Sequence, residues 1–257
     1  MVLYTLIAAI TLVLACQIKT TAYADKLISR QKAINVVSMS AISIILIALA
    51  AFRLEVGNDY GTYVVTCHEI FQKGYVVTEP GYNLVVRILY TLSGKEDYLL
   101  MFAVFGAAIV CVFLKSFKEQ SDNFAISFFL FMALGIYFRS YNTVRYYFAL
   151  ALALYSLRYV VGFWEGIDWQ ELIKFLVLIG FAATFHKSVL VVIPLYMLAG
   201  VKWNKWIIGI VCAGGLIAFI CSSKLLEIAL KLYPSYKDTV YLEQSHSILE
   251  NAPVIAR

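Results

Sequence analysis

The sequence predicts an all-α, polytopic integral membrane protein with about eight transmembrane helices. Three observations predict it. Hydrophobic residues make up 62% of the 257 and charged residues only 14%, whereas a soluble domain is about half apolar and a quarter charged. The mean hydropathy is +0.81. The apolar residues fall into runs whose interiors carry essentially no Asp, Glu, Lys or Arg, divided by short polar intervals. Such runs must be helical, because an open sheet edge leaves backbone groups unsatisfied in lipid.

The first run, Val2–Ile18, has no charge and reads as a span. Leu14-Ala15-Cys16 faintly resembles a lipoprotein cleavage site, but no basic residue precedes the run and further spans follow it. Lys19, Asp25, Lys26, Arg30 and Lys32 then form the most basic loop, which is cytoplasmic by the positive-inside rule and puts the N-terminus outside. Residues 34–52 return outward. The interval 53–97 is therefore an outer polar loop. In it Asn58 is a good N-cap and Gly74 a good stop. Tyr60, Tyr63, Val64, Cys67, Ile70 and Phe71 recur at helical steps and predict an amphipathic surface helix. A second short helix starts at Pro80, carries Arg87 and ends near Ser93-Gly94. It is read as interfacial or re-entrant, because a crossing takes about 20 residues.

Spans follow at 98–114, 124–138, 146–161, 172–185, 189–201 and 206–222. Lys115, Lys118, Glu119 and Asp122 make an inner loop, and Arg139 to Arg145 an outer turn. The pair 172–185 and 189–201 is read as a hairpin turning at His186, rather than one long tilted helix. Lys202 and Lys205, flanking Trp203 and Trp206, favour the hairpin because they belong at the inner interface. Residues 224–232 suit an amphipathic helix, and 224–257 form a polar tail. No repeat, low-complexity segment or linker divides the chain, so 1–257 reads as a single multi-span domain.

The net charge of +5 follows from basic loops, and no basic run with interleaved aromatics points to nucleic acid. The five cysteines form no CxxC pair, and neither a DxD pair nor HExxH occurs, so no metal or cofactor is expected. Ionisable residues sit at span ends. That argues against an ion-coupled transporter, which carries them at mid-membrane depth.

On this topology Arg53, Asp59, Glu79, Arg139, Arg145 and His186 share the outer side. Arginine there has the wrong sign for topology and needs a partner. A carboxylate (Glu55, Asp59 or Glu79), a lipid headgroup or a phosphate would each serve, and the guanidinium fork matches phosphate oxygens. Arg139, Asn142 and Arg145 are three apart and would share one face if the turn were helical. Asp59, Glu79 and His186 are the acid–base candidates. Asp59 and Glu79 could equally be helix caps, and His186 an interfacial residue. A histidine titrates near pH 6.5 and suits proton transfer. His68, beside Glu69, reads as a surface residue. Tyr60, Tyr63, Tyr75 and Tyr82 suit an interface and would stack on a sugar if the substrate carries one.

Four blocks in order carry a resemblance: Arg53…Gly57-Asn58-Asp59-Tyr60…Tyr63, then Glu79-Pro80-Gly81-Tyr82, then Asn142-Thr143-Val144-Arg145 before an Ala/Leu-rich helix, then Phe185-His186-Lys187-Ser188 before a short helix with Pro194. In these the chain resembles the EpsG family of exopolysaccharide and capsule proteins, which are Wzy-like polymerases. The resemblance implies joining of undecaprenyl-diphosphate-linked oligosaccharide repeat units at the outer face of the cytoplasmic membrane. It implies Arg53, Arg139 and Arg145 on the diphosphate, with Asp59, Glu79 or His186 as base. Asn142, Tyr60, Tyr63 and Tyr82 complete the expected binding set. Partners would be membrane lipids and other polysaccharide-export proteins. The family pattern also expects spans beyond Arg257 and a glutamine where Tyr146 stands, so the chain reads as truncated, frameshifted or divergent. Two other readings compete: a flippase for the lipid-linked unit, and a non-catalytic scaffold of an export complex.

Overall fold

The computed structural model describes residues 2–19, 29–72, 74, 76–161, 168–199 and 204–232. Every regular element among them is helical. Residues 1–200 make one compact unit and 201–257 another. The first contains α1 (Val2–Ala15), α2 (Ser29–Ala51), α3 (Tyr60–Phe71), α4 (Pro80–Ser93), α5 (Tyr98–Gln120), α6 (Phe124–Ala133), α7 (Ile136–Arg139), α8 (Val144–Ser156), α9 (Trp169–Ala183) and α10 (Val192–Ala199). The second contains α11 (Lys205–Ile220) and α12 (Ser222–Leu232). Lys202, Trp203, Tyr75 and the tail beyond Leu232 lie outside the described residues.

Helix starts follow local chemistry. Asp97, Asn123, Asp168 and Asn204 each accept a hydrogen bond from a backbone N–H of the following turn, the ordinary N-cap arrangement. Pro80 opens α4, and Gly94 closes it with φ +69°, where a side chain would be strained. Asn58 is not the cap of α3. Asp59 holds that position without a side-chain bond, and the Asn58 N–H donates instead to Asn142 Oδ1.

Two helices, Arg30–Ala51 and Tyr98–Gln120, are long and apolar enough to cross a membrane. They are also the most extensively packed pair. At their crossing a Cβ on Gly106 would stand 2.6 Å from the Ala50 methyl, so the missing side chain sets how closely they approach. The remaining apolar helices are shorter than the sequence suggests. Residues 124–138 are broken by Gly135, at φ +69°, into α6 and α7. Conversely α5 runs on through Lys115, Lys118 and Glu119, which lie on helix rather than in a loop, because no breaker precedes Ser121. The turn at His186 is present: α9 ends at Ala183, a 3-10 segment spans Lys187–Val191, and α10 folds back so that Tyr196 meets Phe175 at 5.8 Å.

Polar groups gather at the two ends of this bundle. At one end the Arg158 guanidinium pairs with Glu119 at 2.5 Å and donates to Tyr155 Oη at 2.9 Å. Lys115 lies over the Tyr155 ring. Lys19 is tied to Asn35 near the start of α2 at this same end. At the other end α5 projects about two turns beyond α2, because Ala50 already lies level with Gly106. The amphipathic pair α3–α4 leans on that projection. Tyr60 stacks on Phe102 at 5.1 Å, and Tyr82 meets Phe105 at 5.4 Å. Both ends of α4 stay here: Gly81 N–H donates to Thr184 O at 2.8 Å, and Glu96, just past its C-terminus, pairs with His68 of α3 at 3.0 Å.

Gly106→Ala is expected to push α2 from α5 and cost about 1–3 kcal/mol. Thermal unfolding in detergent should fall by several degrees, and adding Ala50→Gly should recover most of it.

Candidate functional site

The loop end of the bundle is built around Glu79. Its backbone is extended (φ −64°, ψ 143°), as the residue before a proline must be. It occupies the N-cap position of α4, yet its side chain caps nothing. The carboxylate reaches away to the Arg145 guanidinium, with which it is ion-paired, and to His186 Nδ1 at 3.3 Å. The capping role open to Glu79 in the sequence is therefore not the one it takes.

Three local devices put these groups together. Gly81 has no side chain to hold off α9; a Cβ there would come within 2.9 Å of Thr184 O. That closeness permits the Gly81–Thr184 bond and sets His186, two residues on, beside Glu79. Phe185 anchors the histidine from below, buried against Phe148 at 4.8 Å and Phe181 at 5.2 Å. Tyr146 meets the His186 ring edge-on at 5.4 Å. Arg145 stands in the first turn of α8, where the helix dipole disfavours a cation. Glu79 offsets that, and the Tyr82 ring lies 5.5 Å beneath the guanidinium.

Burial pushes the Glu79 carboxyl up, but His186 and the Arg145 charge outweigh it and hold the group at about 2. The fixed Arg145 charge and the His186 contact thus keep Glu79 ionised and make it a poor proton acceptor. His186 Nδ1 lies at ion-pair distance but is not aligned as a hydrogen bond, and it has no other partner.

The other expected residues divide. Asn142 Oδ1 accepts from Asn58 N–H at 3.1 Å and packs over Gly57, which turns at φ +105°. The loop after α2 is thus fastened to the turn before α8. That turn is not helical throughout: Thr143 departs at φ −117°, ψ 68°. Arg139, Asn142 and Arg145 consequently do not share one helix face, and Arg139 is directed to Tyr147 instead. Asp59 is half-buried near Tyr63, outside the Glu79 cluster. Tyr63 accepts from Arg145 N–H at 3.4 Å. Tyr82 is fully buried, its hydroxyl 3.5 Å from Cys67 Sγ. Tyr63 and Tyr82 are hence packing residues and supports for Arg145, not an exposed sugar platform. The pattern that placed them at an interface also fits a buried face.

Arg53 stands apart. Only 6% exposed, it lies between the rings of Phe102 (4.2 Å) and Tyr141 (4.9 Å) and pairs with no carboxylate among the described residues. Burial lowers its pKa, although a guanidinium stays charged. Sequence reasoning missed Gly81 as the contact that aligns Glu79 with His186, and the His68–Glu96 clasp. The only available signal for the first was a glycine directly after a helix-opening proline.

Because the Glu79 carboxyl is depressed in the folded protein, its contribution to stability is present above the ordinary value of 4.5 and is lost as pH falls toward about 2. Glu79→Gln should therefore unfold at lower temperature than the parent at pH 7, and the gap should close between about pH 4.5 and 2. Melting curves in an acid-stable detergent measure it.

The EpsG family model matches residues 36–256, a range that holds every residue of this cluster. No curated protein and no solved structure matches the chain. With that match running over most of its length, the chain belongs to the EpsG family.

Proposed function

We propose that this protein joins oligosaccharide repeat units carried on undecaprenyl diphosphate, acting at the outer face of the cytoplasmic membrane. The EpsG family is a Wzy-like polymerase family, which supports a polysaccharide polymerase in general. The observation that carries the finer reading is the Arg145–Glu79–His186 cluster. It sets a guanidinium for an anionic leaving group beside an imidazole whose Nδ1 faces the Glu79 carboxylate.

The steps follow from those groups. The donor's diphosphate displaces Glu79 from Arg145, exchanging one oxyanion for another on the same fork. Glu79 remains on His186, orients the ring and stabilises it once protonated. The acceptor sugar hydroxyl attacks the donor's anomeric carbon, its proton passes to His186, and the carbon–oxygen bond to the diphosphate breaks. Undecaprenyl diphosphate departs with its developing charge held by Arg145. Tyr60, stacked on Phe102 at the projecting end of α5, is the half-buried ring of the set that a sugar can reach.

Eight crossings are assigned to α1, α2, α5, α6–α7, α8, α9, the 187–199 segment and α11, with α3, α4 and α12 at the surface. Charge supports the orientation. Lys19, Arg30, Lys32, Lys115, Lys118 and Arg158 belong to the end opposite the cluster, and basic residues favour the cytoplasm. The retention of both ends of α4 on one side supports its not crossing.

Arg145→Ala is expected to leave the protein in the membrane, abolish polymer and let single lipid-linked units persist; Arg145→Lys should retain a small fraction of polymer. Gel analysis of polymer and lipid-linked units decides, and full-length polymer in Arg145→Ala would sink the assignment. Single cysteines at positions 59, 142 and 186 should react with a membrane-impermeant maleimide from outside. Labelling only after the inner face is opened would reverse the topology.

A further inference from the structure

A buried cation without an anion is the largest unsettled charge in the described residues. A guanidinium taken out of water is destabilising unless it is paired. Two ring faces offset only part of that cost. Arg145 has Glu79 and Arg158 has Glu119, but Arg53 has neither carboxylate nor any hydrogen bond at Nε. Phe102 and Tyr141 cover its faces.

Two spaces adjoin it. One is a closed void of about 10 Å³ against Gly106 and Tyr137, room for a water at most. The other is a groove of about 510 Å³ between α1 and α2, lined by Tyr4, Ile7, Ile45, Leu49 and Phe52 and closed at its head by Arg53 and Tyr141. Its volume is that of an ordinary ligand pocket. Apart from the head, the lining is almost wholly apolar, and Phe52 and Leu54 flank it with 82% and 62% of their surface exposed. An apolar furrow that ends in one uncompensated guanidinium complements an amphiphile with an anionic head and a hydrocarbon chain.

We infer that the α1–α2 groove holds the first isoprenoid units of a polyprenyl phosphate, with its phosphate on Arg53. The inference rests on the polymerase reading for the choice of a polyprenyl carrier over other phosphate-headed lipids. It separates two jobs that the sequence assigned to three arginines together. Arg145, already neutralised, exchanges Glu79 for the reacting diphosphate, while Arg53 anchors the lipid from a fixed position. Tyr141 and the Asn58–Asn142 bond link the two places, since the loop from Arg53 is fastened to the turn before Arg145.

The test uses the full chain in detergent micelles with a photoactivatable polyprenyl phosphate, and locates the adduct by peptide mass spectrometry. Adducts should fall on α1 and α2 residues of the groove. Undecaprenyl phosphate should compete, while phosphatidylglycerol and inorganic diphosphate should not. Arg53→Gln should weaken binding roughly tenfold or more. Leu49→Trp, which fills the furrow without touching the charge, should do the same and guards against misfolding of the first variant. Equal competition by phosphatidylglycerol would make this an ordinary phospholipid site and overturn the proposal. So would adducts on α8–α9, or unchanged binding in both variants. The polymerase reading fails separately, through polymer made by Arg145→Ala, whatever binds the groove.

Discussion

The site depends on one carboxylate. Glu79 comes from the loop before α4, Arg145 from the start of α8, and His186 from the turn after α9. Without Glu79 a cation would face the positive end of its own helix, half-buried over Tyr82, with nothing to offset it. With it, three segments more than a hundred residues apart in total are drawn to one point. The same ion pair helps hold the Glu79 carboxyl at about 2, so the group stays ionised.

That arrangement rests on close backbone contact. Gly81 lets α9 approach α4, and Gly106 lets α2 approach α5. Helices that meet without a hydrophobic driving force between them use small residues for this purpose. α5, held in this way, carries the ring ladder from Tyr60 and Phe102 down to Phe105, Phe148 and Phe185. Through Phe185 the packing of the core fixes the position of His186.

Much of the site was legible beforehand because its parts are local signals. Pro80 and Gly94 bound α4 where the sequence places its start and stop, whereas Asn58, read as the cap of α3, is not its cap. Glu79, Arg145 and His186 stood out as ionisable residues at the ends of apolar runs. The tyrosines were harder. A Tyr with an apolar body and a polar tip fits both an interface and a buried face, and Tyr82 took the second, with its hydroxyl on Cys67. Likewise the three-residue spacing of Arg139, Asn142 and Arg145 promised one face only if the helix ran through, and Thr143 interrupts it.

From the sequence alone came the helical class, the order of the elements, the polar loop 53–97 and the family blocks, all of which depend on composition and on neighbours a few residues apart. Tertiary structure decided which arginine is paired. Arg53 and Arg145 look alike in the chain, each at the edge of an apolar run. The pairing depends on which helix ends lie at the same depth. Gly81 against Thr184 brings Glu79 to Arg145, while the crossing at Ala50 and Gly106 leaves Arg53 among aromatic rings. No local pattern encodes that difference, because it is a property of how α2, α4, α5 and α9 pack together.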